Sequence, residues 1–315
     1  MRPSLIVHGG AWPIPQENFD ACREGIRQSL EAGWKILSTG GSAADAAEAA
    51  IVALEEDPAF DAGYGSHLTL DGLVQLDAIL MDGSTLKAGA VAAVERIRNP
   101  IRLARCVLEK SKHILLVGAG AEQFAKENGI PLCDPHDLIT DHERAAWQRC
   151  RADSHAAENH ANHSQGTVGA VALDYRGGIF AGTSTGGTCC KHAGRVGDSP
   201  LIGCGCYADA EWGGVSCTGN GEGIMKIVMA KMAIDLLAVP PDDPYELHSR
   251  AEGSQKEQTR VQFVADACIR KLAHRSHTTG GLILLDREGH PAAAFNTPHM
   301  SYGFVERDAS FYIAP

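Results

Sequence analysis

The run HSQGTVGAVALD, residues 163–174, changes character in its middle. Upstream, RADSHAAENHANHSQG (151–166) is polar and histidine-rich, the composition of an exposed linker. Downstream, TVGAVALD (167–174) is a buried strand by composition, and IFAGTST (179–185) follows it across the turn chemistry of YRGG. The two runs predict a β-hairpin. With its turn centred on Arg176, Thr167 falls opposite Thr185, and a one-residue slip still leaves both hydroxyls at the open end.

A threonine hydroxyl is a poor nucleophile without an adjacent base. At a new N-terminus it carries its own, an α-amino group of pKa about 8. Scission of Gly166–Thr167, at the junction of linker and strand, would create that terminus. Taken alone, the hairpin favours the plainer reading of Thr167 as a β-branched strand starter, since threonine is common at strand ends.

Downstream residues change that balance. Arg195 and Asp198 lie three apart in a glycine-flanked loop: a guanidinium suits a carboxylate bidentately, and a carboxylate suits an ammonium. The pair describes a pocket for a free amino-acid head, or else a surface salt bridge. Thr218-Gly219, in SCTGNGEG (216–223), offers a hydroxyl and an N–H to a developing oxyanion, or is a plain turn.

The 315 residues carry a formal net charge of -11 and no basic run, which argues against nucleic acid and anionic membranes. No apolar run approaches a membrane span, and MRPSLIVHGGAW is too short for a signal-peptide core, so a cytoplasmic location is expected. The ten cysteines are then expected to be free thiols, mostly small buried residues.

Along the chain, strands are expected at 4–8, 74–81, 87–94, 114–117 (buried), 168–174, 179–185, 213–217, 281–286 and 291–295. Helices are expected at 19–37, 42–54 with Ser42 as cap, 100–109, 122–128, partly within 134–157, at 222–237 and at 259–273. Tight turns between neighbouring strands imply antiparallel pairing rather than a doubly wound sheet.

These motifs together resemble the plant-type L-asparaginase/isoaspartyl peptidase group of N-terminal nucleophile hydrolases, with glycosylasparaginase as a relative. The resemblance covers nearly the whole chain. It rests on HGGAW (8–12), LEEDPAFDAGYGS (54–66), GTVGAVALD (166–174), TSTGG (183–187), GRVGDSPLIGCGCYAD (194–209), TGNGE (218–222) and GGLILLD (280–286). It implies an α+β fold, the four-layer αββα sandwich. It implies a single domain, 1–315, autoprocessed into an α subunit (1–166, with a linker from about 151) and a β subunit (167–315), paired as an (αβ)2 dimer. Thr167 then looks like the nucleophile and Thr185 its helper. Arg195 and Asp198 would bind the substrate α-carboxylate and α-amino group, and Thr218 and Gly219 would form the oxyanion hole. Gly9 and Gly10 would pack near the scissile bond. The backbone of Leu54, Glu55, Asp57, Phe60, Ala62 and Tyr64 matches a structural sodium loop. No organic cofactor or catalytic metal is implied.

The chain departs from the family pattern at Asp61, where FDAG replaces the common FNAG near the catalytic centre. A carboxylate there is expected to lower the local potential, slowing maturation or changing leaving-group preference. LDAILMDG replaces MDASIMDG, TCCKHA (188–193) is unusual, and the linker is short. The expected reaction is hydrolysis of the side-chain amide of an aspartyl unit, in isoaspartyl dipeptides and L-asparagine. The alternatives are a glycosylasparaginase-like amidohydrolase of N4-substituted asparagine and, from another class, an uncleaved amino-acid-binding protein. TGNGE leans toward the first; TSTGG in place of TSTNG leans against it. VGAGAE (117–122) lacks the third glycine of a dinucleotide fingerprint.

Overall fold

The computed structural model describes residues 1–152, 166–239, 259–305 and 309–314. The chain begins with β1 (Ser4–Trp12), then α1 (Phe19–Ser38) and α2 (Ala43–Glu55). Next come β2 (Leu76–Asp82), β3 (Ala88–Val94), α3 (Pro100–Lys110), β4 (Leu115–Val117), α4 (Gly118–Glu127) and α5 (Asp141–Ala152). The second half holds β5 (Val168–Leu173), β6 (Ile179–Thr185), β7 (Cys206–Asp209) and β8 (Gly213–Gly219). It continues with α6 (Gly221–Ile227), α7 (Met229–Ala238), α8 (Arg260–Ser276), β9 (Gly280–Asp286), β10 (Pro291–Phe295), β11 (His299–Val305) and β12 (Phe311–Ala314).

The larger sheet runs β12-β11-β1-β5-β6-β2-β3-β4 and the smaller β10-β9-β8-β7. Every pair is antiparallel except β3 with β4, as the tight turns require.

β5 shows why its sequence is apolar at nearly every position. Val168, Ala170 and Ala172 face a core with Ile26 and Leu30 of α1 and Ala46 and Ala50 of α2. Val171 and Leu173 face the other way, against Ile283 and Leu285 of β9. A strand covered on both faces loses the alternation of a half-exposed one. Each fully buried Val or Leu there contributes about 1.5–3 kcal/mol. On its far face the smaller sheet packs Val215, Leu282 and Leu284 against Val264, Cys268 and Leu272 of α8. Ser42 caps α2, accepting the Asp45 N–H at 3.1 Å, and Thr259 caps α8.

Several expectations are corrected. β1 does not stop at His8; it continues through the glycines to Trp12, with a register shift between His8 and Ala11 and Gly10 at φ +105°. Glycine tolerates that left-handed kink, so the strand bulges rather than ends. β4 is an edge strand rather than a buried one: Leu115 is 37% and Val117 52% exposed. The helix expected at 222–237 is broken at Val228, whose φ is +51°. β7, β11 and β12 were not anticipated. The ten thiols are not all free, because Cys150 and Cys190 are bonded while the other eight are free. Sequence spacing carries no sign of that pair, which lies 40 residues apart. Most of the 151–166 linker, and the end of the expected 134–157 region, lie outside the described residues.

Candidate active site

The hairpin sets one wall. β5 pairs with β6 as Val168↔Ser184 and Gly169↔Thr183, the register that puts Thr167 opposite Thr185. The Thr167 hydroxyl donates to Thr185 Oγ1 at 3.0 Å. Thr185 Oγ1 also accepts the Gly187 N–H at 3.0 Å and donates to Asp61 Oδ2 at 3.5 Å. Asp61 is fully buried, and its other oxygen accepts the His67 N–H at 2.9 Å. Burial pushes the Asp61 carboxyl up to about 6, partly offset by the His67 imidazole. Burial works against protonated His67, yet Asp61 and Glu143, the latter 2.6 Å from Nδ1, more than compensate and hold it up to about 9. A carboxylate at position 61 is thus embedded in a set of buried charges that also includes Lys191.

The scissile-bond candidate lies against β1. A Cβ on Gly10 would fall 2.0 Å from the Gly166 Cα, and one on Gly9 would strike Phe60 at 2.1 Å, so both positions admit only glycine. Beneath them His8 is wholly buried. Its Nε2 pairs with Ser216 Oγ at 2.8 Å, which in turn meets Thr183 Oγ1 at 2.8 Å. Desolvation drives the His8 imidazole down to about 3, so it is neutral; a hydrogen bond with the Thr167 backbone opposes this only in part.

The facing wall is charged. Arg195 and Asp198 share one small cleft with Thr167, Thr185, Gly219 and Gly221. Sequence expectation missed the third member: Glu222 accepts from Arg195 Nε at 2.9 Å and from Nη2 at 2.8 Å. Glu222 closes the TGNGE motif, and its place in the first turn of α6 was the available signal. Asp198 is 4% exposed, and its Oδ2 has no partner among the described residues. Burial pushes its carboxyl up to about 7 against the pull of Arg195. Gly221 permits this packing, because a Cβ there would lie 2.9 Å from Arg195 Nη2 and 3.0 Å from Asp198 Oδ1.

Thr218 and Gly219 end β8. Thr218 Oγ1 accepts the Ala11 N–H at 3.4 Å, and Gly219 adopts φ +124°, where its Cα side lies against Gly280. Leu54 and Glu55 end α2, and Asp57, Phe60, Ala62 and Tyr64 follow in the loop after it. There Glu55 O accepts the Tyr64 N–H at 2.9 Å and Asp57 O accepts the Phe60 N–H at 3.2 Å. The Glu55 side chain points elsewhere, accepting from Ser184 Oγ at 2.7 Å and from Ile101 N at 3.0 Å. A larger groove lined by Trp34, Tyr175, His290 and Phe304 opens at the opposite end of β1 and holds none of these groups.

Two hydroxyls in contact, facing a guanidinium and a carboxylate across one cleft, suit nucleophilic attack on an amino-acid derivative held by its charged head. Residues 1–241 match the family model described as asparaginase. The chain is 39% identical over 308 residues to an isoaspartyl peptidase/L-asparaginase of Danio rerio, spanning 98% of this chain and 93% of that protein. It is 39% identical over 303 residues to the Homo sapiens protein of the same name, with 96% and 92% covered. It is also 42% identical over 317 residues to a plant-type L-asparaginase of Pyrococcus abyssi, with 96% of each covered. Likeness on that scale, spanning both walls of the cleft, leaves one conclusion: the chain belongs to the asparaginase family.

Proposed function

We propose that this protein is an amidohydrolase of the isoaspartyl peptidase/L-asparaginase kind that matures by cleaving itself at Gly166–Thr167. The observation that carries it is the 3.0 Å Thr167–Thr185 hydroxyl pair opening on the cleft of Arg195 and Asp198. In maturation, Thr167 Oγ attacks the Gly166 carbonyl carbon, the peptide C–N bond breaks to leave an ester and a free amine, and water splits the ester. The close packing of the Gly9–Gly10 backbone on Gly166 supports this step by holding the scissile peptide against β1.

In turnover, the freed Thr167 amine takes the hydroxyl proton as Oγ attacks the side-chain carbonyl of asparagine or of an isoaspartyl peptide. Arg195 holds the substrate α-carboxylate and Asp198 the α-ammonium; Glu222 marks the carboxylate position by already gripping the same fork. The Thr218 hydroxyl and the Gly219 N–H receive the oxyanion. The leaving amine departs protonated, and water hydrolyses the β-aspartyl ester to aspartate.

The core between the sheets and the helix-covered outer faces support the four-layer αββα sandwich of a single domain. The carbonyls of the loop after α2 fit a hard cation such as sodium, since those that accept one hydrogen bond retain a second lone pair and a Gly63 Cβ would meet Glu55 O at 2.6 Å. Such an ion would be structural; it takes no part in the steps above. Pairing of two processed chains as an (αβ)2 dimer belongs to the same proposal, as does a cytoplasmic location.

Intact mass spectrometry of wild type and Thr167→Ala tests it. Two fragments meeting at Gly166–Thr167 are expected in wild type, and one chain in the variant. The variant should also lose at least about 10⁴-fold in aspartate release from isoaspartyl dipeptides and asparagine. An uncut but active wild type would overturn the N-terminal nucleophile. Faster release from glycosylated asparagine than from either substrate would favour the glycosylasparaginase-like alternative.

A further inference from the structure

Three cysteines gather beside the cleft wall and have no part in the chemistry above. Cys150 stands on the last turn of α5, and Cys189 and Cys190 lie in the loop after β6; their sulfurs all fall within 4.8 Å of one another. Cys150 and Cys190 are bonded, with Cα atoms 6.5 Å apart, inside the usual span of a disulfide. The surroundings hold both ends in place. Trp147, one turn before Cys150, donates its indole N–H to Leu70 O at 3.3 Å. The Cys190 N–H donates to Leu68 O at 2.8 Å, and the Leu70 N–H to Lys191 O at 2.9 Å. Helix and loop therefore meet on the same 68–70 segment.

Cys150 precedes Gly166 and Cys190 follows Thr167, so the bond joins the two pieces that self-cleavage would produce. We propose that Cys150–Cys190 is a covalent staple between the two processed subunits, formed from and opened by low-molecular-weight disulfides and thiols. It rests on the proposed cleavage at Gly166–Thr167. In forming it, both protein S–H bonds break, one S–S bond joins Cys150 to Cys190, and a small disulfide RSSR is reduced to two RSH; an excess of RSH reverses the reaction.

The staple pins the loop whose Gly187 and Thr188 line the cleft beside Thr185. Cys189 is close enough to attack the bond from within. Burial, reinforced by Glu143 and Asp61, pushes its thiol up to about 11, so it stays protonated and internal shuffling is suppressed. Opening is therefore left to an outside thiol reaching Cys190, which is half-buried whereas Cys150 is buried.

The experiment blocks free thiols with iodoacetamide in denaturant, then compares masses with and without reductant. Wild type should run as one species without reductant, heavier than the unmodified uncut chain by one water less two hydrogens plus the alkyl groups on its eight free cysteines, and as two fragments with it. A Cys150–Cys190 linked peptide should appear on digestion. Cys150→Ser should separate without reductant and Cys189→Ser should remain linked. Fragments that separate without reductant, with Cys150 and Cys190 both alkylated, would overturn the staple. So would a stoichiometric zinc ion in the native mass with all three sulfurs alkylated after chelation, which would make the cluster a thiolate metal site. A wild type that stays one chain under reductant defeats the cleavage, and with it the inter-subunit role, even if the linked peptide is found.

Discussion

The two walls of the cleft are built on opposite principles. The Thr167–Thr185 wall is made of neutral hydroxyls on adjacent strands, placed by the β5–β6 ladder. The Arg195–Asp198–Glu222 wall is made of charges on a loop and a helix start, with Arg195 held by Glu222 and Asp198 held by backbone hydrogen bonds from Leu201 and Gly205. A ladder moves its side chains only in steps of a whole residue, so the hydroxyl pair is robust to small shifts. The largely buried charges Arg195 and Asp198 have no such lattice; remove either and the other loses its compensation.

The contrast is broken most forcefully at Arg195. Arg195→Ala should lower kcat/KM by about 10²- to 10³-fold, since truncating one partner of a desolvated charge pair costs roughly 2–5 kcal/mol. Steady-state kinetics with asparagine would show it, and Arg195→Lys should recover only part, lacking the planar fork. On the neutral wall, Thr185→Ala should cost kcat about tenfold, the worth of one buried hydrogen bond, while Thr185→Ser restores it. Equal loss in both Thr185 variants would mean that packing, not the hydroxyl, matters there.

The pH dependence separates the walls further. Asp198 must be ionised to hold an ammonium, and burial raises its carboxyl to about 7. Below that pH it is protonated, which adds to the acid limb that the Thr167 amine, the proposed base, produces below its own pKa of about 8, so the fall in kcat/KM should steepen from about tenfold to about a hundredfold per unit once the pH drops below about 7. In Asp198→Asn most activity should be lost, and the steeper segment below about 7 should vanish, leaving only the limb of the Thr167 amine. The smallest effect is expected at Glu222, which is half-exposed and occupies the Arg195 fork proposed to take the substrate carboxylate. Glu222→Gln should lower KM a few-fold, because a partly exposed ion pair is worth about 0–1 kcal/mol and its loss frees the fork. A rise in KM would mean that Glu222 orients Arg195 rather than competing for it.

How far each wall was legible follows the same division. The hairpin register came from the turn position alone, and the Thr167–Thr185 contact came with it. Arg195 and Asp198 were legible as charges in a glycine-flanked loop, but not their grip on Glu222, which lies 27 residues away from Arg195. His67 and Glu143, 76 residues apart, gave no sequence signal of the buried pair that flanks Asp61. Asp61 itself was expected only to perturb the site; the structure shows it as the carboxylate on which the Thr185 hydroxyl rests.

Local chemistry alone settled the antiparallel pairing, the Ser42-capped helix and the apolar runs of β5 and β6, because turns, caps and two-residue alternation act over a few neighbouring residues. Tertiary packing decided the rest. It set β4 at an exposed edge, drove β1 through its glycines against Gly166, added β11 and β12 beside β1, and brought Cys150 to Cys190. Those outcomes depend on which distant surfaces exclude water from one another, and no short stretch of chain contains that information.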